Sequence, residues 1–409
     1  MAMAESKRNG PLTGVRILDL TSIILGPFAT QILADLGADV IKVESPVGDT
    51  MRQVGPMRNP GMGAIYLHLN RNKRSVVLDL KTEEGREACL HLVRDVDVLL
   101  YNVRPQSMER MGLSYEAVSA VNPGIVYVGA YGFANEGPYG GKPAYDDLIQ
   151  GMTGVARLYE RNSGHEPRYA PLTLADRTIG LHAAIACLSG VIHSRATGKG
   201  QSIEIPMFEG MAQMILGDHL GQRTFDADAP AGSMGYSRLL SEHRKPYQTL
   251  DGYVSLLIYN DRHWRQFLAA IDRADLIVDS IFATHSRRAD NIGEVYRFVD
   301  ITLRTRTTAE WLALFEENDI PCAPLYAIED LPDDPHLKET GHLLQTEHPT
   351  EGVVHTIAPL GRYGGTPLSV YRHAPTLGEH TEEVLDDLPM DVKKKQTILK
   401  TAKQNPKAD

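Results

Sequence analysis

The chain has 409 residues, 42% hydrophobic and 23% charged, with a formal net charge of −10. That length predicts two domains, the composition argues against disorder, and the acidic balance argues against nucleic acid as a main partner. Three scattered cysteines (Cys89, Cys187, Cys322) fit reduced thiols and exclude a disulfide framework, while Met1–Pro11 lacks the apolar core of a signal peptide and no run approaches the ~18 apolar residues of a membrane span, so a cytoplasmic protein is expected.

Arg16-Ile17-Leu18-Asp19-Leu20 reads as a short buried strand. Pro27 to Leu36 has helical periodicity and closes at Gly37, and Val40 to Glu44 is a second strand, completing a βαβ unit. Ser75 to Leu80 is a third strand, after which Thr82 is placed to cap a helix with Glu83 and Glu84 in its first turn. Asp97 to Asn102 and Gly124 to Ala130 continue the alternation, which predicts a mostly parallel sheet with helices on both faces. Helices dominate from Asp147 to Gly221, interrupted by the strand-like Gln201 to Ile205. Phe225 to Glu242 is turn-rich and polar. From Pro246 the composition shifts to a strand at Tyr253 to Tyr259 and helices near Arg262 to Ile271, Gly293 to Leu303 and Ala309 to Asn318. The expected division is a large domain over residues 1–224, a linker over 225–245, a small α+β domain over 246–330, and a segment over 331–409 that returns to the large domain. Thr381 is expected to cap a final helix, and Lys393 to Asp409 to be solvated and frayed.

Nucleotide motifs fail on inspection. Thr21-Ser22-Ile23-Ile24-Leu25-Gly26-Pro27 offers one glycine where the dinucleotide fingerprint needs three, and Gly198-Lys199-Gly200 lacks the remainder of a P-loop. The histidines form no metal-ligand pattern, so no metal is expected.

Three patches carry more chemistry. Asn70-Arg71-Asn72-Lys73-Arg74-Ser75 is a cationic loop beside a strand; it is either a solvated turn or a phosphate cradle. Asn102-Val103-Arg104-Pro105 follows a strand whose carboxyl end should open onto a ligand crevice, and Arg110-Met111-Gly112 lies just beyond. Gly132 to Gly141 carries four glycines in ten residues, followed by Asp146 and Gln150. It is a flexible connector or a backbone surface for a ligand.

Asp176 is the most informative residue. It lies where an apolar, Ala-rich helix begins, and two readings stay open. One is a helix cap; the other is a carboxylate nucleophile toward an activated acyl group, since no Ser, Cys or His motif nearby offers a rival. Asp146 divides the same way, as a cap or as a second acid whose charge would raise the pKa of Asp176.

Taken together, Leu18-Asp19-Leu20-Thr21 with Gly26-Pro27, the block Leu33 to Glu44, Asn72 to Ser75, Leu78 to Lys81, Gly132-Phe133, Thr197 to Gln201 and Gly378 to Thr381 resemble the class III CoA-transferases. That superfamily includes formyl-CoA and carnitine CoA-transferases and α-methylacyl-CoA racemases. The likeness runs from Pro11 to Leu388 in family order. It implies a Rossmann-like large domain and a smaller α+β domain in an interlocked homodimer, with acyl-CoA and a carboxylic acid as substrates and no tightly bound cofactor. The family's catalytic aspartate falls on Asp176, and a second acidic position on Asp146. CoA-contacting positions fall on Ile23, Asn102, Val103, Arg110 and Met111, with Lys73 and Arg74 in the neighbouring cationic loop. The implied reaction runs through an aspartyl anhydride and an aspartyl-CoA thioester. Gly137, Gly140 and Gly141 are candidate oxyanion donors for it.

Ile24 stands where formyl-CoA transferase has glutamine, Val103 replaces a frequent Phe, and its glycine-rich flap has no clear counterpart near Ala231 to Gly235. These departures argue against formate and oxalate. The alternative activity, acyl-CoA racemisation, needs a second acid/base group, and Tyr145 occupies the position of the racemase histidine. A dicarboxylic donor such as succinyl-CoA and a four- or five-carbon dicarboxylic acceptor are expected, with Arg52, Arg168 or Arg177 as carboxylate partners. Each of these arginines equally fits a surface ion pair.

Overall fold

The computed structural model describes residues 8–403 apart from residue 279. Five runs bury almost every side chain and pair as parallel strands covered on both faces; most of their buried residues are apolar, and the buried charges Asp19, Lys42, Glu44 and Lys73 are paired. In chain order the elements are β1 (Arg16–Leu20), α1 (Leu25–Asp35), β2 (Asp39–Glu44), α2 (Ala64–Leu69), β3 (Lys73–Val77), α3 (Glu83–Val93), β4 (Val98–Tyr101), α4 (Pro105–Arg110), α5 (Tyr115–Val121), β5 (Val126–Tyr131), α6 (Asp146–Met152), α7 (Val155–Ser163), α8 (Leu174–Thr197), β6 (Gln201–Pro206) and α9 (Met207–His219). The six strands lie in the order β3-β2-β1-β4-β5-β6, all parallel. The order reverses direction between β1 and β4, so a crevice is expected beyond their carboxyl ends.

Two compact units divide the chain. The first contains residues 8–153, 171–212 and 335–403 and holds the six-stranded sheet. The second contains residues 154–170 and 213–334. It is built from α10 (Ser237–Leu240), the three-stranded antiparallel sheet β7 (Tyr247–Gln248), β8 (Tyr253–Leu256) and β9 (Cys322–Pro324), and helices α11 (Asp261–Ala270), α12 (His285–Asp290), α13 (Ile292–Leu303) and α14 (Thr308–Glu317). Trp264, Phe267, Trp311 and Phe315 fill its core. A capping box at Thr307 and Glu310 starts α14.

The last stretch, α15 (Pro335–Glu339), the hairpin β10 (Leu343–His348) and β11 (Gly352–Ile357), α16 (Thr381–Asp386) and α17 (Val392–Lys403), belongs to the first unit. Thr381 does not cap a helix with its hydroxyl, as its sequence position suggested. Its Oγ1 accepts the Val77 N–H at 3.0 Å and donates to Gly378 O at 2.8 Å, covering the free edge of β3. The Lys-rich terminus is also more ordered than expected. Residues 392–403 form α17, which buries Ile398 and packs on α3; the rest of that stretch, 404–409, lies outside the described residues, as do residues 1–7.

Helix α8 spans 24 residues and is long and apolar enough by length and composition to cross a membrane, although Asp176, Arg177, His182, His193 and Arg195 interrupt its apolar run. It packs on α1, β5 and β6 within the first unit. Gly180 lets it approach α1 closely: a Cβ there would sit 2.8 Å from Leu25 O and 3.0 Å from the Phe28 ring.

Candidate active site

At the point where the strand order reverses, the loops leaving β1, β4 and β5 enclose a cleft of about 500 Å³. Ser22 to Leu25 follow β1, Asn102 to Pro105 follow β4, Ala130 and Tyr131 end β5, and Gly132 and Phe133 follow it. Ser107 and Arg110 come from α4, Gly141 to Tyr145 from the stretch before α6, Met207 from the start of α9, and Asp176 from the first turn of α8. Arg104, Arg110 and Lys142 give the cleft three cations.

Asp176 is not the cap of α8. Thr173 holds the N-cap position without a side-chain hydrogen bond, and Asp176 lies within the first turn. The cap comes from another element: Asp146 Oδ1 accepts the Asp176 N–H at 2.9 Å. Asp146 Oδ2 accepts from Gln150 Nε2 at 2.6 Å, and the same amide reaches Leu172 O at 3.4 Å. Asp146 is therefore buried at the start of α6 while tying down the start of α8, so both readings of it, cap and neighbouring acid, contain part of the geometry. Burial first, and the Asp146 charge second, push the Asp176 carboxyl up to about 7, against the pull of Arg177.

The turn after β1 is equally constrained. Ile23 has φ of 74°, a left-handed conformation that costs a β-branched residue about 1–3 kcal/mol. Asn102 brackets the preceding residue, accepting the Ser22 N–H at 3.0 Å and donating to Ser22 O at 2.8 Å. Its amide thus acts on the loop backbone. Val103 lies exposed in the cleft, and Arg110 Nη2 donates to Ser107 Oγ at 2.9 Å. Met111 is not brought to the cleft: it ends α4 and packs against the core under the sheet.

The cationic loop does not form a phosphate cradle. It opens β3, and in a parallel sheet strand beginnings lie at the edge opposite the carboxyl ends. Lys73 is fully buried, bonded to Asp19 Oδ2 at 3.2 Å, Pro27 O at 3.0 Å and Asn70 Oδ1 at 2.9 Å. Arg74 pairs with Asp39 at 2.8 Å and Glu383 at 3.1 Å, and Arg71 with Asp35 at 2.6 Å. Each charge is neutralised inside the fold.

Two of the three glycine donors are likewise occupied. The Gly137 N–H donates to Ala134 O at 3.2 Å and the Gly140 N–H to Gly137 O at 2.9 Å, closing turns of the loop. Gly141 lines the cleft with φ of 75° and remains the candidate. Arg52 cannot meet an acceptor carboxylate, being buried on Glu44. Arg168 pairs with Glu166 at 3.2 Å on an exposed surface. Arg177 stays beside Asp176, its guanidinium 4.6 Å from the Phe28 ring centroid. Sequence reasoning passed over Lys142, whose signal was its place directly after Gly140-Gly141.

A family model described as CoA-transferase family III matches residues 12–381. The chain belongs to that family. Family III enzymes take acyl-CoA as substrate and move CoA between acyl groups. Among curated relatives, the succinate–glutarate CoA-transferase of Agrobacterium fabrum is 31% identical over 405 residues, covering 97% of this chain and 98% of its own. The formyl-CoA:oxalate CoA-transferase of Escherichia coli O157:H7 is 31% identical over 403 residues, covering 92% and 95%. A crystal structure of a point mutant of Rv3272 from Mycobacterium tuberculosis superposes with a TM-score of 0.80 at 27% identity, covering 93% of this chain and 100% of that one. The family III assignment thus fixes the α/β fold and the reaction class. It leaves the acids open, since equally similar relatives bear different substrate names.

Proposed function

We propose that this family III CoA-transferase moves CoA from a dicarboxylic acyl-CoA to a dicarboxylic acid through covalent intermediates on Asp176. The observation that carries the reading is Asp176 itself, placed in the cleft at the sheet's reversal point and fixed through its backbone by Asp146. The Asp176 carboxylate attacks the donor thioester carbonyl, the C–S bond breaks, and an aspartyl–acyl anhydride and CoA thiolate result. The thiolate attacks the aspartyl carbonyl and expels the donor acid, leaving an aspartyl-CoA thioester. The acceptor carboxylate attacks that thioester, and the released thiolate then takes the acceptor acyl group and regenerates Asp176. No proton is consumed over the cycle. The Gly141 N–H is a candidate donor to the oxyanions, and Arg104, Arg110 and Lys142 suit the phosphates of CoA.

Relatives named for succinate and glutarate support four- and five-carbon dicarboxylates as the acids exchanged. A panel of mono- and dicarboxylic acids against succinyl-CoA and acetyl-CoA is expected to give the highest kcat/KM with succinyl-CoA and a dicarboxylate. Preference for monocarboxylates on both sides would remove the substrate reading. The racemase alternative predicts deuterium wash-in to a chiral 2-methylacyl-CoA in heavy water with no acceptor present; none is expected with Tyr145 in place of a histidine base.

The proposed assembly is an interlocked homodimer. The large domain expected over 1–224 with 331–409 is proposed within the bounds of the first unit (8–153, 171–212 and 335–403) as the CoA-binding part, and the small domain expected over 246–330, with its 225–245 link, within those of the second (154–170 and 213–334). Leu181, Ile185 and Ile192, at helical spacing on α8, are 49%, 58% and 71% exposed, an apolar stripe that a second copy would cover. Light scattering is expected to give a dimer mass at micromolar concentration, and a monomer would dispose of the assembly.

A further inference from the structure

The left-handed turn at Ile23 is held by groups that lie outside the cleft. The Ile23 N–H donates to Asp49 Oδ1 at 3.1 Å. Asp49 Oδ2 accepts from Lys42 Nζ at 2.9 Å, and the same ammonium donates to Thr21 O at 2.8 Å. Lys42 and Asp49 are both fully buried. Asp49 is fixed in turn, its own N–H donating to Glu44 Oε2 at 3.0 Å and its Oδ1 also accepting the Met51 N–H at 3.0 Å. One ion pair thus grips the residues on either side of Ser22, while Asn102 grips Ser22 itself.

A buried ion pair is a poor means of adding stability, because desolvation offsets much of its attraction; its better-attested use is to specify one conformation. Strained backbone persists only where its surroundings over-determine it. Both statements meet at Ile23, one residue before Ile24, the N-cap of α1, which makes no side-chain capping bond.

We propose that Asp49, clamped by Lys42, is a positioning residue for CoA transfer: it imposes the left-handed turn at Ile23 and so fixes the Ser22–Leu25 wall of the cleft that Asp176 also lines. The inference rests on the reading of that cleft as the acyl-CoA site. Without Asp49 the turn relaxes toward the ordinary β-region, the wall shifts, and acyl-CoA meets a cleft of the wrong shape.

The test pairs Asp49→Ala and Asp49→Asn with Ile23→Gly, since glycine adopts positive φ without a steric cost. Asp49→Ala is expected to raise the acyl-CoA KM about tenfold or more with a smaller change in kcat, and Ile23→Gly in that background to recover most of the loss. Should Asp49→Ala not fold, Asp49→Asn, which keeps an oxygen for the Ile23 N–H but loosens the Lys42 clamp, carries the test. It should raise KM several-fold and speed hydrogen exchange in a peptide spanning residues 21–25 while the sheet strands stay protected. An unchanged KM in the folded Asp49 variants, or a loss that Ile23→Gly does not repair, reduces the pair to a purely structural role and overturns the proposal. Asp176→Asn, assayed alongside, separates the two failures. If that variant still turns over, the cleft reading falls and takes this inference with it; if it is dead while the Asp49 variants behave as wild type, only the positioning role is lost.

Discussion

Replacing Asp176 with Ala or Asn is expected to lower CoA transfer by about 10⁴-fold or more in a protein that stays folded, since removal of a covalent nucleophile leaves only binding and oxyanion stabilisation. In the wild type, quenching with hydroxylamine in the presence of acyl-CoA should leave a hydroxamate on Asp176 detectable by mass, and the variants should show none. Turnover surviving in Asp176→Ala would end the covalent mechanism. The same carboxyl sets a pH signature. Burial and the Asp146 charge raise it to about 7, and the ionised form is the nucleophile. kcat/KM is therefore expected to be full above that pH and to fall about tenfold per unit below it. Asp146→Asn keeps an oxygen on the Asp176 N–H but removes the charge, so the acid limb should move to lower pH. Stability runs in the opposite sense. The folded state keeps the Asp176 proton to about 7, whereas the unfolded chain releases it near 3.8, so this group's contribution is present in acid and lost as pH rises through 7. Asp176→Asn should thus raise Tm at pH 8 and leave it unchanged near pH 4, a readout independent of activity.

Most strands were legible because a doubly covered strand is mainly apolar; β3 was displaced, running Lys73–Val77 where Ser75 to Leu80 was expected, because it opens on Lys73-Arg74-Ser75, whose burial depends on distant partners. Arg16 to Leu20 matches β1 end to end, and Val40 to Glu44 misses β2 by one residue. Asp176 was legible as a polar residue at the start of an apolar helix, with its role drawn from the family resemblance. What sequence could not supply was the partner of each charge. Lys73 and Arg74 are adjacent to residues that looked like a phosphate loop, yet their counter-charges, Asp19, Asp39 and Glu383, come from β1, β2 and the far end of the chain. Gly140 looked like a free donor because its hydrogen bond to Gly137 O depends on how the loop turns. Of the two readings of Asp146, the neighbouring acid matches its effect on Asp176, while the cap falls on α8 in place of its own helix, and no local pattern encodes a cap supplied across 30 residues. The left-handed Ile23 is invisible for a similar reason. A β-branched residue argues against positive φ, and only the tertiary bonds from Asp49 and Asn102 override it.

The largest stability effect is expected at Arg52, where Arg52→Ala should cost about 3–5 kcal/mol, the range for breaking a buried pair by removing one partner. That corresponds to a fall in Tm of about 5 °C for a chain of this length. Arg52 Nε and Nη2 donate to the two Glu44 oxygens at 2.8 and 2.7 Å, Nη2 also reaches Pro375 O at 3.2 Å, and the guanidinium lies 3.8 Å from the Tyr66 ring centroid. Removing it strands Glu44, which keeps Ser75 Oγ as a donor at 2.6 Å and has Lys42 nearby. Arg52→Lys should recover less than half of the loss, because an ammonium cannot make the two-point contact and the ring stack together. The pH dependence identifies the cause. In the wild type burial opposes ionisation of Glu44, but Arg52 wins and holds its pKa below the ordinary value, so the pair's contribution persists above the unfolded pKa of about 4.3 and fades only in stronger acid. Without Arg52, burial acts unopposed by its main partner and Glu44 protonates at higher pH, so the deficit should be large at pH 7.5 and smaller at pH 5. Arg52→Met combined with Glu44→Gln should regain part of the loss at pH 7.5, since no unpaired charge is left buried. A deficit in Arg52→Ala that is below about 1 kcal/mol, or equal at both pH values, would mean that water reaches Glu44 and that this ion pair is less closed off than its bonding indicates.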